Sequence, residues 1–365
     1  MKVPFLDLTR AAAAEAEAVR EAVARVHASG RYILGPEVES FERDFAAFAG
    51  SAHGVGCASG TDAITLALRA LGVGAGDDVL TVSMTCAPTA TGILNAGARP
   101  VFVDVEPRAL TMDPARLDAA VTPATRAVVP VHLYGRPAAM EEIAAFARAH
   151  GLALVEDCAQ AHGARLGGRS VGTFGDAATW CFYPTKNLGA IGDGGMVTTA
   201  RAEVAERVRR LRMYGYVTRN DAQEPGFNSR LDELQAAILA ARLLRLAAHN
   251  RRRAAVAALY DGLLSGAVRI PPPPRPGAEP CHHLYVVRVA AREAVRERLA
   301  SVGIGTDVHY PAAVHEQPAF AACPRGRLPE TERAVREVLS LPLYPELVDG
   351  EAREVARALS AAVGR

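Results

Sequence analysis

The chain has 365 residues, half of them hydrophobic, and its 41 Lys+Arg against 40 Asp+Glu give a formal net charge of +1. That length predicts two domains, or one large domain with a smaller appendage, burying roughly 75% of the unfolded surface. The interspersed charges exclude the basic footprint of a nucleic-acid binder, and no run of about 18 uncharged apolar residues predicts a membrane span. The opening "MKVPFLDLTR" carries no signal-peptide apolar region, and the cysteines at 57, 86, 158, 181, 281 and 323 show neither CxxC spacing nor a disulfide framework. A reducing cytoplasm is the expected location.

In chain order, 8–28 reads as a helix and "SGRYILGPEVESF" (29–41) as a turn entering a second one. From 53 to 200, valine-rich runs alternate with helix-period segments. The predicted strands are "HGVGCAS", "DDVLTVS", "RPVFVDV", "TRAVVPVHLYG", "LALVEDCA", "AATWCFY" and "GGMVTTA", with helices over 61–72, 86–96 and 137–150. This alternation predicts an α/β domain with a mostly parallel sheet buried on both faces, and such sheets bind ligands at the carboxyl ends of their strands. Residues 230–264, Ala/Leu-rich and proline-free, predict one long helix, and "PPPPRPGAEP" (271–280) a stiff connection. Beyond it a smaller α+β domain is expected, with strands "HHLYVVRV" and "GIGTDVHY" and helices 328–340 and 349–363. The division falls at 1–245 and 246–365. "RRLRMYGYVTR" and "HNRRRAA" read as solvated helix faces or ends.

Three strand ends carry chemistry. In "ASGTDAI" (58–64) a strand stops and Gly60-Thr61-Asp62 opens a helix, whose free N–H groups suit a phosphate as well as they suit an ordinary cap. In "LALVEDCAQAHGA" (152–164) strand alternation lets only one of Glu156 and Asp157 face a site, with Gln160 and His162 close behind. A lone histidine of this kind is more often a core residue. In "FYPTKNLGAIGDGG" (182–195) Lys186 follows a buried strand among glycines; a lone lysine is normally solvated, but a desolvated amine attacks carbonyls. Together these supply the handles that pyridoxal 5'-phosphate needs, for its phosphate, its ring nitrogen and its aldehyde.

The stretches "SGRYILGPEVESFE", "ASGTDAITLAL", "GARPVFVDVEP", "VEDCAQAHGA", "FYPTKNLGAIGDGG", "GFNSRLDELQAAIL" and "GTDVHYP" resemble the DegT/DnrJ/StrS family of sugar-nucleotide aminotransferases. The resemblance runs from about residue 29 to past 345. It implies a fold-type-I pyridoxal phosphate enzyme, with a large domain built on a seven-stranded sheet flanked by helices. It implies that Lys186 carries the cofactor as a Schiff base and that Asp157 pairs with the protonated ring nitrogen. Gly60 and Thr61 would bind the phosphate, Gln160 and His162 would lie near the ring, and Asn228 would reach the phosphate of a neighbouring subunit in a homodimer. Arg31, Tyr32, His309 and Tyr310 match segments that meet the substrate. Two cofactor-facing positions depart from the pattern: Cys86 stands where relatives often have an aromatic residue, and Cys181 where they often have serine.

The activity implied is transfer of the amino group of glutamate to a keto sugar nucleotide, by a ping-pong course. "LRMYGY" followed by "GFNSRLDELQ" resembles the branch acting on 3-keto-6-deoxyhexoses more than the 4-keto branch. In a branch that removes a hydroxyl, histidine replaces the lysine kept here. Amination of a keto-cyclitol by the same residues, and a non-catalytic regulator of the same fold, are the competing readings.

Overall fold

Seven valine-rich runs become the strands of one sheet in the computed structural model, which describes residues 2–364. They are β1 (His53–Cys57), β2 (Asp78–Val82), β3 (Arg99–Val103), β4 (Thr125–Val129), β5 (Ala153–Asp157), β6 (Ala177–Cys181) and β7 (Gly195–Thr199). Their order is β1-β7-β6-β5-β4-β2-β3; only β7 runs antiparallel, to both β1 and β6. The reversal has a local cause. The chain leaving β6 turns back on itself, with Cys181 opposite Gly195, Phe182 N–H donating to the Gly194 carbonyl (2.8 Å) and Ala190 N–H to that of Phe182 (2.7 Å). Lys186 lies in this re-entrant loop, at the same sheet edge as the carboxyl ends of β1, β2, β4 and β5.

Among the described residues there are ten α-helices: α1 (Leu8–Ser29), α2 (Pro36–Ala49), α3 (Gly60–Ala70), α4 (Ala87–Asn95), α5 (Met140–Ala149), α6 (Ala202–Leu211), α7 (Glu233–Leu264), α8 (Arg292–Ser301), α9 (Pro329–Glu337) and α10 (Asp349–Ala362). One face of the sheet packs Val55, Val79, Val129, Val155 and Val197 with Ile64 and Leu68 of α3 and Val204 and Val208 of α6. On the other side an aromatic cluster fills the space between α2 and β6. There Phe45 meets Trp180 at 5.2 Å and 81°, and Phe182 at 5.2 Å and 87°, both edge-to-face. Such two-sided burial is what the continuous apolar runs imply.

Helix α7 passes without a break through residues 245 and 246, so the expected division falls inside one helix. Its second half, through Val256, Tyr260 and Leu264, joins a separate core with Val287, Leu341 and Leu359. Two expectations in this region are corrected. The run 303–310 forms only single bridges, Val3 to Ile304 and Asp307 to Ser340, because Gly303 (φ +89°) and Gly305 flank Ile304 in a turn held by Val3. The helix expected over 328–340 stops at Glu337, and Val338–Leu341 becomes a strand antiparallel to Tyr285–Arg288. The apolar β-branched pair Val335 and Val338 suits either state, and pairing with a ready strand decides it.

His162 is enclosed in the aromatic cluster, at 5.4 Å from Trp180 and 5.8 Å from Phe182. It thus occupies the core position that is usual for a lone histidine. Burial, followed by the Lys186 charge, pushes its imidazole down to about 3. The unfolded chain therefore takes up a proton near pH 6.5 that the folded chain refuses until about pH 3, so stability present above pH 6.5 is lost as pH falls. In thermal melts between pH 7 and pH 4, His162→Phe should lose less stability than the parent chain; equal slopes would contradict this.

Candidate active site

Asp157 ends β5 with its side chain at the carboxyl edge, whereas Glu156 points the other way, as strand alternation requires. The two carboxylates are provided for very differently. Glu156, fully enclosed, accepts from Gly172 N–H (2.8 Å), Phe174 N–H (2.7 Å) and Gly175 N–H (2.9 Å). Its fourth partner is His132 Nε2 at 3.1 Å; because His132 Nδ1 accepts from Ala138 N–H (3.0 Å), Nε2 carries the proton. Glu156 is a saturated structural anchor that fixes the 172–175 turn and the chain after β4 to β5.

Asp157 is 4% exposed, and among the described residues its carboxylate accepts two hydrogen bonds, from Thr89 Oγ1 (2.9 Å) on α4 and Ala159 N–H (3.1 Å). Thr89 is itself oriented by Thr85 Oγ1 at 2.9 Å. Burial raises the Asp157 carboxyl above the usual range, opposed by these bonds and then by the charge of Lys186. A buried carboxylate so placed invites a cation.

Lys186 stands half-buried in the loop after β6, its N–H bonded to the Tyr183 carbonyl at 2.9 Å. Its charge bears on Asp157, Cys86, His162, His283 and His309. The next residue, Asn187, ties the loop to the second half of the chain. Its Oδ1 accepts from His283 Nδ1 (3.0 Å), and its Nδ2 donates to the Cys281 carbonyl (3.0 Å) and to Asn250 Oδ1 (2.9 Å). His283 is held neutral, well below its usual range, by burial and then by Lys186.

Gln160 Nε2 donates to the Tyr310 hydroxyl at 2.8 Å, and Gln160 Oε1 accepts from Tyr134 N–H at 2.7 Å. The Tyr310 hydroxyl also meets the Cys86 thiol, and burial, followed by that sulfur, holds the phenol well above its usual range. The departure at Cys86 thus coincides with an aromatic ring brought to the same place by residue 310. His309 stacks on Phe5 at 5.6 Å and bonds Ser340 Oγ at 2.9 Å.

At the third strand end, Ser59 caps α3 by accepting from Asp62 N–H (3.1 Å), and the first helical bond runs from Ala63 N–H to the Ser59 carbonyl (3.0 Å). Gly60 and Thr61 therefore present N–H groups at the positive end of the helix dipole. Gly60 lies so close to β6 that a Cβ on it would stand 2.5 Å from the Cys181 Cβ. Cys181 is thus packed directly beneath this helix start. A Cβ on Gly195 would stand 2.2 Å from the Ser59 carbonyl oxygen, so the glycine lets β7 pass under the same turn.

Asp62 accepts from Ser229 Oγ at 2.6 Å, and that hydroxyl also takes Ala58 N–H at 3.1 Å. The "GFNSR" loop is fastened to the cradle in this way, while Asn228 itself is exposed. Arg31 and Tyr32 are exposed too, at the start of α7, where Glu233 N–H bonds the Tyr32 carbonyl at 3.1 Å. They bond Ser29, His27 and Glu233, none of which belongs to the Lys186 cluster. The structure therefore gathers Gly60, Thr61, Cys86, Asp157, Gln160, Cys181, Lys186, His309 and Tyr310 at one edge and leaves Arg31, Tyr32 and Asn228 on the surface. Thr89, Tyr134, Asn187, Ser229 and His283 are additions that the sequence reading missed. Thr89 could have been found one helical turn after Cys86, and Asn187 and Ser229 beside residues already singled out.

Residues 13–360 match the DegT/DnrJ/EryC1/StrS aminotransferase family. The chain belongs to that family. The aminotransferase is 47% identical, over 98% of this chain and 95% of the relative, to a dTDP-3-amino-3,4,6-trideoxy-alpha-D-glucose transaminase of Streptomyces venezuelae. It is 44% identical, over 99% and 98%, to a pleiotropic regulatory protein of Geobacillus stearothermophilus. Its fold superposes with a TM-score of 0.96, at 46% identity and covering 100% and 99% of the two chains, on S. venezuelae DesV solved in complex with a ketimine intermediate. It is a sugar aminotransferase that depends on pyridoxal phosphate. The residues present fit that cofactor: an underprovided buried carboxylate for a cationic ring nitrogen, a lysine whose charge bears on it, and a helix start with free N–H groups, packed closely on β6 through Gly60, for a phosphate.

The adjacent acids should separate by substitution. Glu156→Gln turns an amide N–H toward backbone donors and should cost about 2–4 kcal/mol in urea unfolding of the cofactor-free protein. Asp157→Asn removes a buried charge with only two partners and should cost under about 1 kcal/mol, or stabilise that form. Equal losses for both would contradict this division of labour.

Proposed function

We propose that this chain moves the amino group of L-glutamate to a keto sugar carried on a nucleoside diphosphate, with Lys186 and Asp157 as its catalytic residues. The observation that carries the reading is the convergence of that amine, that acid and the α3 start at one sheet edge. Lys186 would hold the cofactor through its aldehyde, and Asp157 would keep the proton on its ring nitrogen. At about 4 Å and an effective dielectric near 20, such a pair gains at most about 4 kcal/mol before desolvation is subtracted. When bound, the cofactor supplies a protonated ring that draws off the electron pair left at a carbon losing its proton.

The remaining work belongs to the chain. Thr89 and Ala159 N–H hold the Asp157 carboxylate in place, and neutral His283, through Asn187, fixes the loop from which Lys186 projects. Lys186 Nζ, when free, would take the proton from the donor's α-carbon and later give one to the sugar carbon. The two stages give ping-pong kinetics. Gly60 and Thr61, with Cys181 beneath them, would hold the phosphate, and Gln160, Tyr310 and Cys86 would border the ring. His162 acts from behind, as packing for the strand that leads to Lys186. His309 and Tyr310 line the acceptor's approach.

Arg31, Tyr32 and Asn228 enter through a second subunit in this reading. Support comes from the exposed apolar residues around them: Tyr32, Ile33, Tyr183 and Ile191 are 45–52% exposed and border the Lys186 loop and the start of α7. A homodimer with shared sites would cover them. We further infer a cytoplasmic enzyme with a large domain of 1–245 and a small domain of 246–365; no helix among the described residues is long and apolar enough to cross a membrane. A 3-keto-6-deoxyhexose is favoured over a 4-keto sugar, supported by the 3-amino product in the name of the S. venezuelae relative. The name of the G. stearothermophilus relative favours a regulator instead, and a reactive amine has no use in one.

Purified protein should absorb in the visible, lose that band on adding glutamate and regain it with a nucleotide-linked 3-keto sugar, but not with an inosose. Lys186→Ala should abolish turnover and the parent band while remaining folded. Retention of both by Lys186→Ala, or a colourless parent that ignores glutamate, would overturn the proposal.

A further inference from the structure

We propose a second ligand site, separate from the Lys186 cluster but adjoining it, for a small organic anion bearing a phosphate or carboxylate on an apolar body. A cavity of about 360 Å³ lies under the proline strap 271–274, within the size range of small-molecule pockets. Four arginines line it, Arg108, Arg136, Arg269 and Arg288, against one acidic residue, Asp261. Asp261 is already engaged by the Tyr285 hydroxyl at 2.7 Å.

Arg288 decides the matter. Its side chain is 5% exposed, with Nε on Glu337 at 2.7 Å and Nη1 on the Pro107 carbonyl at 3.0 Å. Its Nη2 is buried with no partner among the described residues. A buried donor left unpaired is costly, and a small rotation of the Arg288 guanidinium toward an oxyanion in the cavity would remove that cost with a charge-assisted bond. The neighbours agree. Burial and then the Arg288 charge hold Arg269 below its usual range, and burial does the same to Arg136. His282, also in the wall, is pushed down to about 4 by burial and is neutral. Cations crowded together at partly dehydrated positions gain most from a shared anion.

The rest of the lining, from Ile270 and the prolines to Leu284 and Tyr134, is apolar and sets the second half of the ligand's chemistry. Tyr134 is also the wall shared with the active site. Its hydroxyl donates to the His309 carbonyl and its N–H to Gln160 Oε1. A ligand packed on the Tyr134 ring therefore touches a residue that holds both acceptor-side and ring-side groups in place.

The test is calorimetric titration of the holoenzyme, whose cofactor already fills the α3 cradle, with phenyl phosphate, benzoate and inorganic phosphate. Saturable binding of phenyl phosphate or benzoate is expected, the tighter of the two identifying the acid group, and inorganic phosphate should bind at least about tenfold more weakly for want of apolar contact. Arg269→Gln, on the exposed rim, and Arg288→Gln should each weaken binding by about tenfold or more. Excess uridine diphosphate should leave the isotherm unchanged. No saturable binding of either aromatic acid, an affinity unaltered in Arg269→Gln, inorganic phosphate binding as tightly, or displacement by the nucleotide would each overturn the proposal.

Discussion

A buried carboxylate without a cation of its own is the constraint on which this molecule turns. Asp157 sits at the end of a central strand, held by one threonine hydroxyl and one backbone N–H. Its neighbour Glu156 has four donors and forms part of the scaffold. One strand thus carries two acids of opposite purpose, and burial alone does not distinguish them. The count of donors does. A fully satisfied carboxylate stabilises the fold, whereas an underprovided one stores unfavourable free energy that a cationic ligand can relieve.

The surrounding architecture serves to bring two further groups to that acid. The antiparallel return of β7 makes the re-entrant loop that presents Lys186, and the close passage of Gly195 beneath Ser59 brings the α3 start to the same edge. His283 and Asn187 then bind the lysine loop to the second half of the chain, so that the amine's position depends on both halves. Neutral histidines at 162 and 283 add no competing charge beside Lys186. The cysteines at 86 and 181 leave the acid and the amine untouched, one meeting Tyr310 and the other lying under Gly60.

Much of this was legible in the sequence because it is local. Strand periodicity located all seven sheet strands and separated Glu156 from Asp157, and the glycine and cap residues marked the α3 start. The failures share a physical cause as well. Whether Val338–Leu341 is helix or strand depends on a partner some fifty residues away in sequence, and the run at Ile304 depends on the chain's own first residues. Thr89, Asn187 and His283 act through contacts that no spacing encodes. Arg31, Tyr32 and Asn228 were singled out by resemblance, and the folded chain leaves them exposed.

The central claim is that Asp157 keeps a ring nitrogen protonated. Nitrogen-15 NMR of the enzyme loaded with cofactor labelled at that nitrogen reads this directly. A protonated-nitrogen shift that persists above neutral pH in the parent and is lost in Asp157→Asn is the expected result; the same shift in both proteins would contradict the account.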